Sequence, residues 1–191
     1  MGLSLGVIKK SKRGFIVSWY ALFVETGKEN VVEKILTNHF NQHVFRCLVP
    51  KKIVSEKKNG VSYDSIKTLF PGYIFIQTNI TSTIYYDLMS IPMTYYMVNC
   101  GKYKNDSCLT YYSEIPEEDM NWILQITDKE GLLSYSDVII EDRQVQVITG
   151  PLQGMEAFIK KIDKRKKRAK IEIELLGEIK TLDVGINILS R

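Results

Sequence analysis

Metal-ligating and redox-active residues are scarce in this sequence, which has two histidines, three cysteines and two tryptophans among 191 residues. Cys47, Cys100 and Cys108 are odd in number and include no Cys-x-x-Cys pair, so neither a disulfide framework nor a structural zinc site is expected, and a reducing cytoplasm is implied. His39 and His43 lie four apart, as ligands can, but a helix is predicted to stop between them and they read as a capped or solvated pair. A Gly-rich phosphate loop, a histidine inside a carboxylate cluster and a thiol motif are all missing. Those absences speak against an enzyme, and no cofactor or metal is implied. No apolar run approaches the roughly 18 residues that a membrane span requires. At the start, Lys9, Lys10, Lys12 and Arg13 follow a weak apolar stretch, the reverse of a secretory signal, so residues 1–18 read as a basic arm. A net charge of +4 does not by itself argue for a polyanionic partner, and the distribution of charge carries more weight than its total.

What is present is the balance of a globular protein, with 45% hydrophobic and 25% charged residues. Trp19-Tyr20-Ala21-Leu22-Phe23-Val24 reads as a first strand ending at Thr26-Gly27. Lys28 to Phe40 is predicted to be a helix, with Val31, Val32, Ile35, Leu36 and His39/Phe40 along its apolar stripe and Glu29 outside it. Val44 to Val54 returns to strand character around Pro50, and the polar run from Ser55 to Gly60 reads as a hairpin loop. Phe70-Pro71-Gly72 opens a central strand whose opposite faces carry Tyr73/Phe75 and Ile74/Ile76. A short helix over Ile80 to Met89, stopped by Pro92, and a strand over Tyr95 to Val98 follow. Pro116 begins the last helix of this half, with Met120, Ile123, Leu124 and Thr127 facing inward. Glu117, Glu118 and Asp119 in its first turn suit the helix dipole better than a metal or acid/base site.

Strands and helices thus alternate as an α+β sandwich in which helices cover an antiparallel sheet, over residues 19–127. Residues 128–141 are less periodic and read as a linker. From residue 142 the texture changes to strict two-residue alternation, with Val145 and Val147, then Ile171, Ile173 and Leu175, on one side. Turns at Gly150 to Gly154, Asp163, Gly177 and Gly185 divide residues 142–191 into about five strands, which suits a small SH3-like barrel.

Two motifs in this order resemble one known arrangement. Trp19-Tyr20 followed by Phe70-Pro71-Gly72-Tyr73-Ile74-Phe75-Ile76 is similar to the N-terminal domain of NusG proteins. Val145-Gln146-Val147-Ile148-Thr149-Gly150-Pro151-Leu152-Gln153-Gly154 is similar to their C-terminal KOW domain. The resemblance covers roughly Trp19 to the end. It implies a transcription elongation factor that binds the clamp helices of RNA polymerase, with Phe23, Phe70, Tyr73 and Phe75 on the contact surface. For Phe70 and Phe75, core filling stands beside contact as an open alternative. The Ser55 to Lys67 loop and the helix near Thr81 to Tyr86 resemble regions that reach DNA strands or the opposite polymerase pincer, which leaves non-template DNA as a further partner. Thr81-Ser82-Thr83 reads first as a helix cap.

The strongest charge feature is the run Lys160-Lys161-Ile162-Asp163-Lys164-Arg165-Lys166-Lys167-Arg168-Ala169-Lys170, eight cations against one acid around a predicted turn. Such a hairpin can neutralise several phosphates at once, and nascent RNA, in the form of a hairpin stem, is the natural target. A solvated charged turn that guards a strand pair is the bland alternative. Leu176-Gly177-Glu178-Ile179-Lys180-Thr181 stands where the housekeeping family pattern has a Phe-Gly-Arg-x-Thr-Pro-like stretch, which puts contacts to the Rho terminator or a ribosomal protein in doubt. A basic KOW hairpin with that loss resembles the LoaP type of antiterminator within the family. The expected protein is a cytoplasmic monomer that suppresses pausing and termination in selected operons. The competing expectation is a KOW-type RNA-binding or ribosome-associated module whose N-terminal domain only scaffolds it.

Overall fold

The computed structural model describes residues 17–99, 112–141 and 144–189. Cys100, Cys108 and nearly all of the basic arm lie outside the described residues.

Strand β1 (Ser18–Val24) alternates almost without interruption, and its two sides meet two different cores. Tyr20, Leu22 and Val24 pack with Val32 and Leu36 of α1 (Glu29–His39) and Leu88 of α2 (Ser82–Ser90). On α1 the buried stripe is narrower than the sequence predicts, because Val31 is 47% exposed while Glu29, expected outside it, is buried. The α2 start is capped as expected, with the Thr81 hydroxyl accepting from the Ile84 N–H. The sheet runs β2 (Arg46–Leu48), β5 (Tyr73–Thr78), β1, β6 (Thr94–Met97), all antiparallel. Trp19, Ala21 and Phe75 occupy its other side, together with Met120, Ile123 and Ile126 of α3 (Glu117–Ile126). Fully burying side chains of this size contributes about 1.5–3 kcal/mol each, so both faces are needed for stability.

Ser55 to Gly60 is not the loop that its polarity suggests. Strands β3 (Lys51–Lys58) and β4 (Val61–Thr68) stay paired up to Lys58 opposite Val61, and Asn59 and Gly60, both at positive φ, turn the chain in two residues. Asn-Gly suits that tight turn because both positions need left-handed backbone. The strands are polar because the ribbon tip is exposed on both sides.

Residues 128–141 also depart from the expected linker. β7 (Leu132–Leu133) pairs in parallel with β3, and β8 (Ser136–Glu141) belongs to the C-terminal sheet. That sheet is a curled SH3-like unit ordered β10 (Ile159–Asp163), β11 (Arg168–Leu175), β12 (Glu178–Ile188), β8, β9 (Gln144–Thr149). Gly185 does not break it but lies inside β12. The reason is visible in the packing: a Cβ there would lie 2.5 Å from the Ile53 carbonyl of β3 and 2.5 Å from the Tyr135 ring. Barrel residues such as Ile173, Leu175 and Leu182 accordingly share one apolar cluster with Phe70, Phe75 and α3.

Candidate functional site

Gly72 sets the geometry of the aromatic site. Its φ of +84° needs a residue without a side chain, and a Cβ there would come within 2.8 Å of the Phe23 ring. Its N–H donates to the Glu29 carboxylate at 2.6 Å, and its carbonyl accepts from the Val24 N–H at 2.8 Å. Glu29 also accepts from the Gly27 N–H at 2.9 Å, so one buried carboxylate ties the end of β1, the start of α1 and the Pro-Gly turn together.

The turn so fixed places Tyr73, Phe23 and Tyr96 side by side across β5, β1 and β6. Phe23 stands edge-on to Tyr73 with centroids 5.3 Å apart and stacks on Tyr96 at 5.2 Å, while Tyr95 lies 6.1 Å away. Such pairs add stability beyond the area they bury. Tyr95 and Tyr96 are 58% and 52% exposed, so this end of the sheet remains wet. One step along the strands, Leu48, Phe75 and Ala21 form a closed row. Of the four residues expected on a partner-binding surface, Phe23 and Tyr73 are therefore half-buried at its edge. Phe70 and Phe75 are in the core, edge-on to each other at 5.7 Å. The Tyr-Tyr pair at 95 and 96 was legible only as a strand, because its adjacency to Phe23 depends on pairing between β1 and β6.

The barrel reaches over this face. Lys180 Nζ lies 5.4 Å from the Tyr73 ring centroid and is bonded to Glu178. The Leu176 N–H donates to Asp119 of α3 at 3.2 Å. The stretch Leu176 to Thr181, which departs from the housekeeping pattern, is thus a stretch that touches the N-terminal domain.

The basic run forms β10, a turn and the start of β11. Lys160, Lys161, Lys164, Arg165, Lys166, Lys167 and Lys170 are exposed. Asp163 accepts from the Lys166 N–H at 2.9 Å and shapes the turn, and that backbone bond holds its carboxyl below the usual range. Arg168 is placed differently: its Nη2 donates to the Ser55 carbonyl of β3 at 3.0 Å and stands 3.8 Å from Glu56. Glu56 is bonded to Lys67 at 3.1 Å, which holds its pKa below normal. Nearby, Tyr135 donates to Asp64 at 2.7 Å, and burial pushes the Lys52 ammonium down. Among the described residues no group of His, Cys, Asp or Glu converges as a metal site. His39 packs edge-on against Phe40.

An α+β domain with a half-open aromatic sheet face, followed by a small barrel with a basic hairpin, is the architecture of a two-domain transcription factor. Residues 17–124 match the family described as transcription termination factor nusG. The chain belongs to the NusG family. It is 22% identical over 175 residues to the transcription termination/antitermination protein NusG of Helicobacter pylori, spanning 88% of this chain and 95% of the relative. Against the Staphylococcus aureus protein of the same description it is 24% identical over 180 residues, spanning 91% and 94%. A solved structure described as domain interaction in Thermotoga maritima NusG shares the fold, with a TM-score of 0.51, 19% identity and coverage of 89% and 94%. The protein is thus a transcription termination/antitermination factor by family. No helix of the described residues is long and apolar enough to cross a membrane.

Proposed function

We propose that this chain is a specialised antitermination factor of the LoaP type, which docks on the clamp helices of RNA polymerase and holds a nascent RNA hairpin with its barrel. The observation that carries the polymerase reading is the half-open row Tyr73, Phe23 and Tyr96 at the end of an otherwise closed sheet. Aromatic side chains that are half wet in the free protein release water when a partner helix covers them, and such groups supply most interface energy. Phe23 and Tyr73 make the contact in this reading, and Phe70 and Phe75 form the floor behind them. Lys180 lies over Tyr73, so partner helices reach the whole row once the barrel moves aside. The RNA reading is supported by the exposed cations from Lys160 to Lys170, with the four at Lys164 to Lys167 forming the tip. The protein acts as a cytoplasmic monomer without a cofactor, and non-template DNA remains a secondary contact through the β3–β4 ribbon.

Retention on immobilised RNA polymerase tests the first part: Tyr73→Ala is expected to lose most binding while keeping its fold, and undiminished retention would refute the aromatic surface. Replacing Lys164, Arg165, Lys166 and Lys167 by Ala is expected to weaken RNA binding and flatten its dependence on salt by about four counterions at most. Transcription across a terminator, with and without the protein, reads the activity itself.

A further inference from the structure

The barrel is held against the N-terminal domain at two ends of one ladder. Strands β11 and β12 pair continuously from Arg168 opposite Gly185 to Leu175 opposite Glu178. Beyond the second end lie Leu176, bonded to Asp119, and Lys180, over Tyr73. At the first end Arg168 reaches Ser55 and Glu56.

That first grip is a poor match for a guanidinium. Arg168 Nε is buried without a hydrogen-bond partner. Glu56 Oε1, 3.8 Å away, is too far for a hydrogen bond and is already engaged by Lys67. Arginine offers five donors in a rigid fork, and a phosphate accepts two of them in parallel. Arg168 also follows directly on the exposed turn Lys164 to Lys167, where a phosphate backbone would lie.

We propose that Arg168 couples the two surfaces: phosphates of an RNA duplex seated on the basic turn draw its guanidinium from Ser55 and Glu56, and the barrel then leaves the Tyr73 face. This rests on the RNA reading above and adds its consequence. Because the ladder is one rigid element, loosening its Arg168 end weakens the Lys180 end. RNA and polymerase therefore favour the same open state, and each strengthens binding of the other by roughly tenfold, within the usual range for coupled sites.

Hydrogen exchange of the full chain tests this, read at residues 70–76 and 182–188, with and without a saturating short RNA duplex. RNA is expected to speed exchange at both segments. In Arg168→Gln the duplex should bind about fivefold more weakly and leave exchange at 70–76 unchanged even at saturation. Glu56→Gln, which lies outside the basic turn, should show faster exchange without RNA and bind the duplex about threefold more tightly. Lys166→Ala should bind RNA more weakly yet still open at saturation, which separates lost affinity from lost coupling. If the duplex binds but exchange at 70–76 stays constant, or if Arg168→Gln opens as wild type does, the coupling is refuted while RNA binding stands. If no duplex binds, the RNA reading itself falls and the coupling with it.

Discussion

The two faces of the N-terminal sheet are built from alternate residues of the same strands, yet they are closed by different means. Tyr20, Leu22, Ile74 and Ile76 are covered by α1 and α2 of the same domain. Trp19, Ala21 and Phe75 are covered by α3, and their cluster extends into a barrel that is a separate folding unit. The Tyr73, Phe23 and Tyr96 row at the edge of that second face is only half covered. A face closed from within the domain can serve only stability. One closed by a neighbouring unit can exchange that neighbour for another partner.

The largest test of this contrast is a pair of substitutions one residue apart. Ile74→Ala, on the helix-covered face, is expected to lower unfolding free energy by about 2–5 kcal/mol, whereas Tyr73→Ala costs about 1 kcal/mol. Denaturant titration measures both, and equal losses would mean the faces do not differ. Next in size is Glu29→Ala, which leaves the Gly27 and Gly72 N–H groups unpaired and is expected to cost about 1–3 kcal/mol. Because Gly72 lies under Phe23, this variant should also lose polymerase retention beyond what its stability loss explains.

Gly185→Ala sharpens the comparison from the barrel side. Its added methyl meets the Ile53 carbonyl and should destabilise the docked arrangement by about 1–3 kcal/mol without unfolding the barrel. Small-angle scattering should show a larger radius, and an unchanged radius would argue that the seam yields elsewhere. The smallest effect concerns acid. Glu56 has a pKa held below its ordinary value of 4.5, first by its bond to Lys67, so its contribution is complete above that value and fades as pH falls through the lower folded-state pKa. Energy transfer between labelled domains should therefore fall modestly below about pH 4 in wild type and less in Glu56→Gln.

Much of this architecture was readable from spacing alone. The two-sided strand Tyr73 to Ile76, the capped α2, and the two-residue alternation of the barrel are local patterns, and local patterns survive into the fold. What spacing could not reveal were long-range assignments. Glu29 looks like a solvated helix residue until Gly72, 43 positions away, supplies its donor. Ser55 to Gly60 looks like a loop because polarity reports exposure, and a twisted ribbon tip is exposed too. Gly185 looks like a strand break because close approach of a second chain segment leaves the same mark in sequence as a turn. Within the candidate site, Tyr73 and Phe23 could be named beforehand. Burial of Phe70 and Phe75 could not be distinguished from contact, since apolar aromatics suit both.

By itself the sequence determined the class of each unit, the aromatic strand and the clustering of cations at one turn, because alternation, turn chemistry and charge act between near neighbours along the chain. Only the tertiary structure decided that the barrel lies on the aromatic face, that Lys180 stands over Tyr73 and that Arg168 is drawn from its neighbours to Ser55. Those contacts join residues more than a hundred positions apart, and whether they form depends on how two finished surfaces fit, which no periodicity records.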